Sequence, residues 1–227
     1  VDDNSPQIGS VNRVQEAVDM VSGSTIYLMP GLYVGQVVCT GFADLNIIGA
    51  GQLVTTIQAP ATAMTHSFVT SGPNNNFAVL SIENSADVDV QDLTIDGAGK
   101  GNLQYRFIGA AYRNSGGSMS DVTVKDVRDN PLSGAQHGNA VYSLCDDGNP
   151  RTLDLARVTT IGFQKTGIVL NGADLTANVS ECTVTGAGPL GLGLPAQNGI
   201  QFGTGADGSI SDCIVSGISY TPAAYVA

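Results

Sequence analysis

The stretch Ala177-Asn-Val-Ser-Glu-Cys-Thr-Val-Thr-Gly186 is written a second time as Gly208-Ser-Ile-Ser-Asp-Cys-Ile-Val-Ser-Gly217, with Glu181 over Asp212, Cys182 over Cys213 and Gly186 over Gly217. Three earlier stretches fall into the same frame: Val90-Gln-Asp-Leu-Thr-Ile-Asp-Gly97, Met119-Ser-Asp-Val-Thr-Val-Lys-Asp126 and Leu155-Ala-Arg-Val-Thr-Thr-Ile-Gly162. Self-similarity at an interval of about 20 to 50 residues marks a repeat architecture, in which each unit buries its apolar face against its neighbours. Each copy is two short alternating runs that meet at one polar residue. In Val179-Ser-Glu-Cys-Thr-Val184 the apolar positions are Val179, then Cys182 and Val184, so the period of two slips by one at Ser180-Glu181. A strand cannot slip its period without turning its pleat over, and a bend is expected there. Strand, bend, strand with no helix between them predicts an all-β chain folded as a parallel β-helix, a solenoid whose coils stack at about 4.8 Å. An antiparallel sandwich also has closely spaced turns, but its strands do not repeat one another slot by slot.

The chain has 227 residues, enough for one domain with a sizeable core, and no low-complexity linker divides it. Its 29 glycines, absence of Trp and low charged fraction of 13% suit tightly stacked coils with frequent bends. The net charge of −11 makes this an acidic protein and argues against nucleic acid, which needs a basic footprint. There is no apolar run of transmembrane length, and the opening at Val1 reads as a mature or trimmed product. Cys39, Cys145, Cys182 and Cys213 show no zinc-type spacing, and no metal site is predicted.

One helix is predicted, over Ser10-Val-Asn-Arg-Val-Gln-Glu-Ala-Val-Asp-Met-Val-Ser-Gly23. Val11, Val14, Ala17, Val18 and Val21 form its apolar stripe, Ser10 caps its start and Gly23 ends it. An open stack of coils must cover its first edge, so this amphipathic helix is assigned as an N-terminal cap. The chain then divides into an N-terminal segment with the cap over 1–24 and the β-helix over 25–227. Insertions are expected at 60–76, 97–105, 129–139, 145–151 and 187–196. The end, Ser219-Tyr-Thr-Pro-Ala-Ala-Tyr-Val-Ala227, looks like the start of another coil, which leaves an open edge available for self-association or for a continuation of the chain.

After the helix come Thr25-Ile-Tyr-Leu-Met29, Pro30-Gly31 and Asp44-Leu-Asn-Ile-Ile-Gly-Ala-Gly51, and later Asp92-Leu-Thr-Ile-Asp-Gly97, Gln136-His-Gly138 and Gln197-Asn-Gly-Ile-Gln201. This succession resembles the pectate-lyase-like group of right-handed parallel β-helix proteins, bacterial secreted proteins among them, many without assigned activity. The resemblance covers nearly the whole chain. It implies a right-handed coil, a secreted or cell-surface location and a polysaccharide or oligosaccharide partner. It speaks for fold more than for chemistry, because a fold hosts many functions. The adjacent Asp146-Asp147 resembles the paired aspartates of polygalacturonases, but the Asn-Thr-Asp, Gly-His-Gly and Arg-Ile-Lys motifs of those enzymes do not occur. Pectin methylesterase motifs are missing as well. No catalytic residue is assigned.

Two features bear on function. The bend slot carries Asp44, Asp92, Asp121, Arg157, Glu181 and Asp212, as residues that tolerate the bend or as a column of carboxylates with Arg157 neutralising its neighbours. No cofactor is predicted, Ca²⁺ being the one ion such a column could take. Secondly, eight of the nine Lys and Arg lie between Lys100 and Lys165, among aromatic residues. The substrate-binding residues read from that concentration are Tyr105, Arg106, Arg113, Arg128, Gln136, His137, Tyr142, Gln164, Lys165 and Gln197. Aromatic rings would stack on sugar faces, Arg would grip a carboxylate, and the glutamines would repeat from coil to coil. The expected function is binding of an acidic or neutral glycan along the middle coils. The alternatives are a polysaccharide lyase or glycoside hydrolase, or a structural segment of a larger adhesin.

Overall fold

The computed structural model describes residues 1, 12–70 and 73–221. Alternating apolar positions place the chain in two sheets, which it visits in turn. The first pass is β1 (Thr25–Tyr27), β2 (Gly31–Val34) and β3 (Val37–Thr40); the second is β4 (Leu45–Ile48), β5 (Thr55–Gln58), a short β6 (Phe68–Val69) and β7 (Asn75–Glu83). Then come β8 (Val88–Asp96) with β9 (Phe107–Arg113), and β10 (Gly117–Lys125) with β11 (Asn139–Leu144). The later passes are β12 (Arg151–Ala156), β13 (Thr159–Ile161) and β14 (Thr166–Asn171), then β15 (Leu175–Ser180), β16 (Thr183–Leu190) and β17 (Asn198–Gly203), and last β18 (Asp207–Ser211) and β19 (Ile214–Tyr220).

The first sheet runs β1-β4-β8-β10-β12-β15-β18, with β2-β5 joined through β8 and β13-β16-β19 joined through β10. The second runs β3-β7-β9-β11-β14-β17. Every pairing within these sheets is parallel among the described residues; β6 alone lies antiparallel, on β7. The protein is therefore all-β with parallel sheets, an arrangement consistent with a β-helix. Among the described residues no helix is long and apolar enough to cross a membrane.

Register explains the core. Ile57, Ile95, Val124, Thr160, Val184 and Val215 stand side by side in the first sheet. Val37, Leu80, Ala110, Val141, Ile168 and Ile200 do so in the second. All but the last member of each column are buried. Tyr112 crosses the interior from β9, and its hydroxyl donates to Val88 O (3.2 Å) and Ser118 O (2.9 Å) in the first sheet. At the last pass the columns open: Ile210 and Val215 are about half exposed.

The bend slot lies where the period slips. Asp92, Asp121, Arg157, Glu181 and Asp212 all adopt left-handed φ, between 52° and 57°. That conformation is costly for a residue with a Cβ, but the parallel ladders on either side fix it, and Asp tolerates it best. Asp44 does not belong to the slot. It precedes Leu45, which pairs with Val88, so the position opposite Asp92 is Gly49, where an added Cβ would collide with the Asp92 carbonyl.

The helix α1 (Arg13–Asp19) is shorter than the sequence predicts. Its N-cap is Asn12, whose Oδ1 accepts from Gln15 N at 3.0 Å, and its C-cap is Met20 rather than Gly23. Ser10 and Val11 lie outside the described residues. Val14 and Val18 are buried, and the Gln15 amide bonds Val38 O (3.0 Å) and Val38 N (2.6 Å) on β3, satisfying backbone groups that a neighbouring strand would otherwise take.

Candidate functional site

Most of the predicted site residues lie on loops that lead into the second sheet, and there their polar groups are largely used internally. His137 is buried. Its Nδ1 accepts from Phe107 N–H at 3.2 Å, which leaves the protonated Nε2 to face Asp129 Oδ1 at 3.2 Å. Ser133 and Gln164 both donate to Asp129 Oδ2, and the Gln164 oxygen accepts from Asp129 N at 2.9 Å. Asp129 thus sits between a serine and a histidine, the reverse of a nucleophile–base–acid order, and the Nδ1 of His137 is occupied. Burial pushes the His137 pKa down, with Asp129 opposing. Gln197 is likewise committed, accepting from Ala187 N (2.8 Å) and donating to Phe163 O (2.7 Å). These three residues fix loops.

Around them, Tyr105 is exposed, its ring centroid 5.0 Å from that of His137, and the Arg106 guanidinium lies 5.9 Å from the Tyr105 ring. Arg128 faces Asp126 at 3.5 Å, and the Gln136 amide donates to Gly134 O at 3.1 Å. Lys165 donates to Ala196 O at 2.7 Å, and burial lowers its pKa.

Arg113 stands at the far end of β9 from Arg106, about 20 Å away at the rise of an extended strand. Arg106, Arg113, Arg128 and Lys165 therefore do not converge on one point. Five members of the basic concentration are paired with acids: Lys125 with Asp96, Arg113 with Asp146, Arg128 with Asp126, Arg151 with Asp147 and Arg157 with Asp121. In the bend column the Arg157 guanidinium, through its hydrogen bond, holds the Asp121 carboxyl below its usual range. Among the described residues no group of three or more His, Cys, Asp or Glu is placed to hold a metal ion.

Tyr142 has a different setting. It points outward from β11 into a small apolar cluster with Phe68, Ala78, Ile108 and Ala111, because the stretch 60–70 ends in β6, which lies as a strap against β7 on the outer face of the second sheet. His66 on that strap meets Glu83 at 2.6 Å, and Gln36 holds the His66 backbone with two hydrogen bonds. Beyond the strap lies a cleft of about 460 Å³ lined by Thr70, Tyr142, Leu144, Asp146, Asn171, Asp174 and Thr204, among others. Burial raises the Tyr142 pKa, partly offset by hydrogen bonds to Asn171 and Thr70. Register explains the convergence: Leu144 pairs with Asn171, and Tyr142 with Val169, so consecutive passes present their outward side chains in rows. Of the residues predicted from sequence, Tyr142 alone lines this cleft. Asn171, Asp174 and Thr204 lie outside the basic window; the outward row of the second sheet carries Asn171, whereas Asp174 and Thr204 lie in the turns that follow β14 and β17.

A wider groove of about 840 Å³ runs over the outer face of the first sheet, lined by Asp87, Asp89, Ser118, Asn149, Arg151 and Asp154, among others. Ser118 pairs with Asp89 on one side and Asp154 on the other, and donates to Asp89 at 2.5 Å. Burial, and then the neighbouring Asp89 and Asp44, raise the Asp87 pKa.

No family model matches the chain, and no curated protein matches it. Among solved structures it is similar to ORF18 of Geobacillus virus E2, with a TM-score of 0.55 and 15% sequence identity over 88% of this chain. This chain spans 44% of the length of that viral protein, and at such identity the likeness is one of fold alone.

Proposed function

We propose that the chain is a right-handed parallel β-helix of the pectate-lyase-like group, closed at its first pass by α1, and that outside the cell it binds a polysaccharide in the cleft over Tyr142. The observation that carries this reading is the make-up of the cleft. One partly exposed aromatic ring lies among short hydrogen-bonding groups, Asn171, Thr70 and Thr204, with carboxylates at Asp146 and Asp174. An aromatic face takes the apolar face of a sugar, and acceptors around it take hydroxyl protons. Rows of outward side chains at about 4.8 Å suit an extended polymer laid across the strands. The test is a glycan array followed by calorimetry with Tyr142→Ala, which should weaken binding by about tenfold or more as a buried aromatic anchor does. An array on which no glycan binds rejects the reading.

The wider groove favours hydrolysis as a second reading. Asp89 and Asp154 project two passes apart, roughly 10 Å between strands, near the upper end of the separation that inverting glycosidases use. Release of reducing ends from a glycan that binds, lost in both Asp89→Asn and Asp154→Asn, would support it.

A further inference from the structure

We infer that the Tyr142 cleft selects uncharged glycans and turns uronic acids away; this deepens the carbohydrate-binding reading and rests on it. A protein that grips a uronate needs a cation free to meet the sugar carboxylate, preferably a guanidinium with two parallel N–H groups. Arg113, the cation paired with the cleft-lining Asp146, is engaged through one of its two terminal nitrogens. Its Nη1 donates to Asp146 Oδ1 (2.5 Å), Asn114 Oδ1 (2.6 Å) and Leu144 O (3.2 Å), and its side chain is 16% exposed. The Asn114 side chain also accepts from Asp146 N at 2.9 Å, so that wall is fixed from behind.

The charged groups that line the cleft are Asp146 and Asp174, with no Lys or Arg among the lining residues. Asp174 Oδ2 accepts from Gly148 N at 2.7 Å, and a carboxylate so held still has lone pairs for a sugar hydroxyl. Thr204 Oγ1 accepts from Gly172 N at 2.8 Å, which leaves its hydroxyl proton to donate. These groups complement hydroxyls, which both give and accept. A uronate carboxylate has no proton to give, and it would lose hydration beside the Asp174 carboxylate in a chain of net charge −11. The concentration of basic residues, which by itself points to an acidic ligand, is misleading here because five of the eight pair with local acids and none of the eight lines the cleft.

The test uses pairs of oligosaccharides of equal length that differ at C6, glucan against glucuronan and galactan against galacturonan, titrated into the full chain at low and at 150 mM salt. The neutral member of a pair should bind, with the uronate at least about tenfold weaker at low salt, since unscreened like charges act over the whole cleft. Added salt should narrow the gap, and Asp174→Asn should narrow it further. A uronate that binds as well as its neutral partner overturns the inference and leaves the carbohydrate-binding reading standing. A gap that neither salt nor Asp174→Asn changes also overturns it, since selection would then not be electrostatic. Should Asp174→Asn not fold, the salt series alone decides. If neither member of any pair binds, the carbohydrate-binding reading fails and the inference with it.

Discussion

Arg157 grips Asp121 on the neighbouring bend with two parallel bonds, Nε to Oδ1 at 2.8 Å and Nη2 to Oδ2 at 2.6 Å, while its Nη1 lies 3.9 Å from Glu181 on the other side. A single cation thus separates the carboxylates of a column in which every member has the same left-handed backbone. Because the guanidinium holds the folded Asp121 below its ordinary pKa, the pair stabilises above the unfolded value of 3.8 and its contribution fades as pH falls through the folded one. Arg157→Ala should therefore lower the melting temperature at pH 7, less so at high salt because the pair is exposed, and should have a smaller effect near pH 2. An equal effect at both pH values would mean that the side chain acts through packing alone.

His137 should behave in the opposite way from a surface histidine. Burial lowers its folded pKa, so the unfolded chain binds a proton first as pH falls below about 6.5, and stability should decline from there until the folded pKa is reached. His137→Ala removes the acceptor for Phe107 N–H and leaves buried Asp129 without its ring partner, at a cost of about 2 to 4 kcal/mol. Denaturant titrations of both proteins at pH 5 and pH 8 would check the size and the slope.

The cysteines should separate by burial. Cys39 is pushed up to about 12 and Cys182 to about 11, in both cases mainly by burial, and Cys145 is also raised. In the native protein these three should resist a thiol reagent at pH 8, while the half-buried Cys213 reacts, and all four should react after denaturation. Cys182 and Cys213 fall in the same slot of adjacent passes, about 4.8 Å apart, longer than the usual Cβ separation of a disulfide. A native 182–213 disulfide found by mass spectrometry would contradict this.

Tyr112→Phe should cost about 1 kcal/mol without altering the fold, because it removes one buried donor that bridges the two sheets and leaves the ring in place. Equilibrium unfolding in urea would measure it. No loss would mean that Val88 O and Ser118 O are satisfied by their strand neighbours alone.

The alternation of period two, its slip at Ser180-Glu181 and the recurrence of that slip along the chain were enough to determine strands, bends and parallel stacking. In this architecture each residue's environment repeats that of the residue one pass earlier. The register of five bend residues followed from that frame. Asp44 did not, since in its pass the residue opposite Asp92 is Gly49, and a glycine leaves no side-chain signature to align. The site was less legible. Sequence shows that basic residues are concentrated but not what each one faces. It took the tertiary structure to pair Arg113 with Asp146 and Arg157 with Asp121, to turn His137 and Gln164 inward, and to bring Asn171, Asp174 and Thr204 beside Tyr142. The reason is physical: a repeat pattern fixes which face of a strand a side chain occupies. Charge pairing and cleft walls depend on where irregular loops close, and loops carry no period.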